Sequence, residues 1–82
     1  MITVYTTPSC PQCTATMTHL DKAHMPYSVV DVTANADAEQ WLRDLGYETA
    51  PVVTVETPEG IEHWDSYRRD RIDEVVAQHR TV

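Results

Sequence analysis

The residue pattern changes period abruptly at one place, and that place constrains the fold more than any other. Ile2, Val4 and Thr6 alternate with Thr3 and Tyr5 in a short β-rich run, as a half-buried strand requires. Thr7-Pro8-Ser9 halts the run, and from Pro11 the spacing becomes helical, with Cys13, Met17, Leu20 and His24 at i, i+4, i+7 and i+11. At the junction stands Cys10-Pro11-Gln12-Cys13, which contains both cysteines of the chain. Two N-caps fit. Ser9 with Gln12 makes a capping box, whereas Pro11 at the first helical position makes Cys10 the cap. Both leave Cys10 facing the unpaired amides of the first turn, where a thiolate is electrostatically favoured.

The rest of the chain repeats this change of period. Pro26 is expected to end the first helix, and Tyr27 to Val32 to form a second strand. Thr33-Ala34-Asn35 leads into a second helix, in which Ala38, Trp41, Leu42 and Leu45 recur at i, i+3, i+4 and i+7. Asn35 is its cap, Asp37 and Glu39 sit in the dipole-favoured first turn, Gly46 terminates it, and Trp41 is expected in the core. Val52 to Glu56 reads as a strand, Thr57-Pro58-Glu59-Gly60 as a turn and Ile61 to Asp65 as the returning arm of a hairpin. A final helix from Tyr67 or Arg68 to His79 carries Ile72, Val75, Val76 and His79 on one face. A βαβ unit makes the first two strands parallel, and the hairpin adds an antiparallel pair. The prediction is an α/β fold, a mixed four-stranded sheet flanked by three helices.

Length and charge bound the function. With 82 residues the chain is expected to be one domain over residues 1–82, burying only roughly 60% of its unfolded surface. No apolar run approaches the ~20 residues that span a bilayer, and the stretch from Met1 to Tyr5 does not resemble a signal peptide. The cytoplasm is the expected compartment, and there a lone Cys-x-x-Cys is catalytic or metal-binding more often than structural. Thirteen acidic against six basic residues give a net charge of −7, which argues against nucleic acid or an anionic membrane as partner. Arg68, Arg69, Arg71 and Arg80 fall in the last fifteen positions. They form either a solvated helix face or a patch that contacts a partner protein.

The cysteine pair reads as a redox centre. A free thiol titrates near ~8.5 and a helix N-terminus lowers that value, so Cys10 is the expected attacking thiolate. Cys13, one helical turn on, then resolves the mixed disulfide. Zinc is the rival occupant, but it normally needs four ligands, and the candidates are His19, His24, His63 and His79. His19 and His24 point in different directions on a helix and cannot both meet the cysteines, so no metal site is expected. The histidines are then surface or core residues.

Three stretches carry a family resemblance: Cys10-Pro11-Gln12-Cys13; Gly46-Tyr47 to Ala50-Pro51-Val52-Val53; and His63-Trp64-Asp65-Ser66-Tyr67-Arg68-Arg69-Asp70. With the βαβ order, the chain resembles the thioredoxin fold in its minimal glutaredoxin-like form, and most of all the NrdH-redoxins. The resemblance implies a small monomeric dithiol reductase with no bound cofactor, donating electrons to class Ib ribonucleotide reductase and re-reduced by thioredoxin reductase. It implies that Pro51 is cis beside the dithiol, although only ~5–6% of bonds before proline are cis in general, and that the Ala50 backbone pairs with an incoming peptide strand. Pro8, Pro11 and Gln12 support the active site on this reading, and Thr7, Ser9, Trp64, Tyr67 and Arg68 contact the partner. The last stretch is similar to the family's Trp-Ser-Gly-Phe-Arg-Pro-Asp segment, with Asp65, Ser66 and Arg69 in place of its Ser, Gly and Pro. Thr7 stands where many relatives have Lys or Arg, and Pro11 is the residue of glutathione-dependent glutaredoxins, the alternative reading. Those proteins usually carry a Gly-Gly-x-x-Asp-type segment after the hairpin, whereas here Gly60 is the last glycine. An iron–sulfur role, known for some glutaredoxins, is disfavoured by the proline after the first cysteine.

Overall fold

β1 (Ile2–Thr6) lies inside the sheet because both its edges find partners. The computed structural model describes the backbone of residues 1–80 and the side chains of residues 1–78. β1 runs parallel to β2 (Ser28–Asp31) and antiparallel to β3 (Val52–Thr57), and β3 returns as β4 (Gly60–Asp65), giving the order β2-β1-β3-β4. Three α-helices complete the fold: α1 (Pro11–Lys22), α2 (Ala36–Asp44) and α3 (Arg69–Arg80). None of the described helices is long and apolar enough to cross a membrane.

The register decides where the core sits. Val4 pairs with Val53 and Val53 with Trp64, while Ile2 pairs with Val55, and directly opposed residues share a face. That face meets Leu20 of α1 and Ile72, Val75 and Val76 of α3 in one cluster. The side chain of His79, expected beside them, lies outside what the structure describes. Thr16, also on α1, is fully buried without penalty because its hydroxyl donates to the Gln12 carbonyl at 2.9 Å.

The opposite face has only the nine residues of α2 to cover it. Leu42 is sealed there, but Trp41 and Leu45 remain 37% and 38% exposed. Trp41 is therefore not the core residue its spacing predicts; its ring leans on Tyr5 with centroids 5.7 Å apart. The second strand is also shorter than expected. Val32 to Ala34 turn into a short 3-10 segment, because the Asp31 carboxylate accepts from both the amide and the hydroxyl of Thr33.

Both helix ends follow one rule. After α2, Gly46 takes a left-handed φ of 97° while the Tyr47 amide reaches the Leu42 carbonyl and the Gly46 amide that of Arg43. The same bonds end α1 with His24 at φ 58°, Met25 to Leu20 and His24 to Asp21. The helix thus stops at Lys22, before Pro26 can act.

Acid stability follows from two carboxylates. Thr33 holds the Asp31 carboxyl below its ordinary range, and Arg68 does the same for Asp70. Each contributes stability that is fully present above the unfolded value near ~3.9 and is lost as pH falls through the lower folded value. Chemical denaturation at a series of pH values should therefore show the wild type losing stability below about pH 4 more steeply than the Asp31→Asn, Asp70→Asn double variant.

Candidate active site

Where the chain leaves β1 it must turn to start α1, and Ser9 makes the turn at a left-handed φ of 57°. Cys10 then returns to extended backbone (φ −110°, ψ 101°), and its Sγ accepts the Cys13 amide at 3.2 Å. Cys10 is therefore the N-cap, with Pro11 at the first helical position, where a missing N–H costs nothing. The Cys10 sulfur thus sits at the site where a helix stabilises negative charge.

The cysteines form a disulfide across 5.2 Å between Cα atoms. Their environments differ. Cys13 is 2% exposed, whereas Cys10 is half-buried among exposed Pro8, Ser9, Pro11 and Gln12.

Two neighbouring amides bind the site's segments together. The Ser66 amide donates to the Pro51 carbonyl at 2.9 Å, and the Tyr67 amide donates to Gln12 Oε1 at 3.0 Å. The stretch after β4 therefore ties the cysteine loop to the Ala50–Pro51 bond, which is cis. Ser66 makes this turn at a left-handed φ of 66°, at the position where the resemblance expects glycine. Glycine holds that conformation without the ~1–2 kcal/mol a side chain costs there, while its unfolded freedom takes back ~0.4–1 kcal/mol. Ser66→Gly should thus raise stability by about 0.5 kcal/mol, roughly 2–4 °C in a thermal melt, and Ser66→Val should lower it.

Side chains reinforce the joint. His19 Nδ1 meets the Tyr67 hydroxyl at 2.9 Å and Nε2 meets Asp73 at 2.9 Å. Since a carboxylate can only accept, Nε2 donates to Asp73, and Nδ1 pairs with the Tyr67 hydroxyl. On the other side of the sheet, His63 Nδ1 lies 2.7 Å from the Tyr47 hydroxyl, whose pKa is raised first by burial and then by Asp65.

The expected partner residues separate. Thr7 lines a groove with Ala50 on the α2 side, and Tyr67 is 36% exposed. Arg68 points its guanidinium at Asp70 through two bonds of 3.2 and 3.1 Å, which raise its pKa. Trp64 corrects the expectation most clearly. It is 6% exposed within the core, with Arg71 over its ring at 5.1 Å, and its buried Nε1 finds no acceptor among the described residues. Inward alternation on β4 opposite Val53 puts it there. Among the described residues, no group of three or more His, Cys, Asp or Glu can hold a metal.

Two sulfurs that can make and break one bond, the first reachable and the second sealed, are the working part of a thiol–disulfide oxidoreductase. Residues 2–57 match the glutaredoxin family model. The glutaredoxin-like protein NrdH of Salmonella typhimurium is 33% identical over 72 residues, covering 88% of this chain and 84% of that protein. The gene 56 protein of Mycobacterium phage D29 is 37% identical over 76 residues, covering 92% of this chain and 81% of that one. The NrdH-redoxin of Escherichia coli superposes with a TM-score of 0.80 at 29% identity, over 89% of this chain and 91% of that structure. The chain therefore belongs to the glutaredoxin family, with the thioredoxin-like fold of its NrdH-redoxin branch.

Proposed function

We propose that this chain is the electron donor of a class Ib ribonucleotide reductase, recharged by thioredoxin reductase at the expense of NADPH, acting as a cytoplasmic monomer whose single domain spans residues 1–82. Cys10 is the nucleophile. As a thiolate it attacks one sulfur of the target disulfide, forming a Cys10–target bond and expelling the other target sulfur as a thiolate. Cys13, after giving up its proton, attacks the Cys10 sulfur; the first target sulfur leaves and the Cys10–Cys13 bond forms. Two electrons have passed to the target, whose thiolates take up two protons. The reductase returns the two electrons.

The contrast in exposure supports these roles, since an incoming disulfide reaches Cys10 and not Cys13. The Ala50 backbone offers an edge for the target's extended segment. Pro8, Pro11 and Gln12 shape the cysteine loop, and Thr7, Ser9, Tyr67 and Arg68 form the rim.

One observation carries the choice of reductant. Beside Ala50 lies a groove of about 200 Å³ whose charged lining is Glu39, Arg43 and Glu48. Glu39 already neutralises Arg43 at 2.6 Å. Glutathione, net negative with two carboxylates against one ammonium, meets a surplus of negative charge there, which favours a protein reductant. The test is reconstitution: a class Ib ribonucleotide reductase supplied with thioredoxin reductase, NADPH and this chain as the sole dithiol should form deoxyribonucleotide. No product above the level without the chain overturns the reading.

A further inference from the structure

We propose that the groove between α1 and Tyr67 is a docking channel for an acidic peptide segment that flanks the disulfide being reduced. The groove holds about 390 Å³ and is lined by Ala15, Thr18, His19, Lys22, Tyr67 and Arg69.

The argument starts from where the cations are committed. Arg43 is paired with Glu39, Arg68 with Asp70 and Arg71 with Glu74. Lys22 and Arg69 have no ion pair among the described residues, and both line this groove. The basic cluster of the last helix is therefore divided by the fold: its second arginine joins a lysine from α1, while two neighbours are neutralised locally. Two carboxylates near the groove keep their charge but are held by other side chains, Asp73 by His19 and Asp21 by the Tyr27 hydroxyl, so the local surplus rests on Lys22 and Arg69 together.

A net charge of −7 repels an acidic partner at long range, but a Debye length of about 8 Å at physiological ionic strength leaves the choice to local charges. The groove is also placed to serve the dithiol. Tyr67 forms one wall and donates its amide to Gln12, inside the cysteine loop. Along the helix axis Ala15 and Lys22 lie roughly 8 and 18 Å from Cys10 at ~1.5 Å per residue. An extended peptide at ~3.3 Å per residue covers that interval with positions about two to six residues from its own cysteine. Carboxylates at those positions can pair with Arg69 and Lys22 while the cysteine reaches Cys10. The inference rests on disulfide exchange at Cys10 and does not depend on which reductase or target is physiological.

The experiment uses the reduced chain in stoichiometric amounts, with no reductase present, so that failure here is separable from failure of the proposed reductant. The probes are two disulfide-linked peptides, identical except that Asp and Glu three to five positions from the cysteine in one are Asn and Gln in the other. Both are made with the segment before and after the cysteine. The wild type should reduce one acidic version roughly fivefold faster than its amide twin at about 0.15 M ionic strength, with the ratio falling toward one in about 0.5 M salt. In the Lys22→Gln, Arg69→Gln variant the ratio should be near or below one at every ionic strength. Because the ratio compares two substrates of one protein, a loss of folded or reactive chain cancels from it. Equal rates for both twins with the wild type, or a preference that survives in the variant, overturns the proposal.

Discussion

Replacing Cys10 with serine is expected to lower disulfide-reduction turnover by at least about a thousandfold, since a hydroxyl is no substitute for the attacking thiolate. The Cys13→Ser variant should instead complete the first exchange and stop, holding the target on Cys10 as a mixed disulfide. Denaturing mass spectrometry without reductant reads both results. The cap geometry carries this expectation, because the Cys13 amide points at the Cys10 sulfur and stabilises charge there. That first exchange, between Cys10 and the target, needs an approach that half-buried Cys10 allows and sealed Cys13 does not. An adduct trapped by the Cys10→Ser variant, and not by Cys13→Ser, would show that the roles are reversed.

The largest expected loss of stability follows Trp64→Ala. Removing a buried indole costs about 3–5 kcal/mol, and a domain of this size is held by little more than the lower part of the usual ~5–15 kcal/mol range. The variant should be largely unfolded at 37 °C by circular dichroism. Trp64→Phe separates packing from polarity: it keeps most of the ring while removing an N–H that has no acceptor among the described residues. It should cost less than about 2 kcal/mol and retain redox turnover. A loss of turnover in a folded Trp64→Phe protein would return this residue to the partner surface.

The order and type of the elements were legible because each segment keeps one period: two for Ile2 to Thr6, and close to 3.6 for Met17, Leu20 and Ile72, Val75, Val76. The cysteine pair was legible for the same reason, since it lies where the period changes. The end of α1 was hidden because His24 occupies the left-handed position that glycine announces at Gly46. Trp41 was misplaced because periodicity locates the inward face of a helix but not how much sheet that helix covers. Trp64 was drawn toward the partner surface by its place in a family motif, although strand alternation opposite Val53 sends it inward. The joints between Gln12 and Tyr67 and between His19, Tyr67 and Asp73 connect residues far apart in the chain. No local pattern encodes them. The same holds for Lys22 and Arg69, whose lack of an ion pair among the described residues becomes visible only once the other cations have found theirs.

The central proposal is that this redoxin draws its electrons from thioredoxin reductase and not from glutathione. Two NADPH-oxidation assays on one protein disulfide test it, the first coupled through thioredoxin reductase and the second through glutathione with its own reductase. Turnover in the first, with only the background rate in the second, is the predicted result. Turnover in the glutathione assay alone would contradict it and would make the groove beside Ala50 a glutathione site despite its two glutamates.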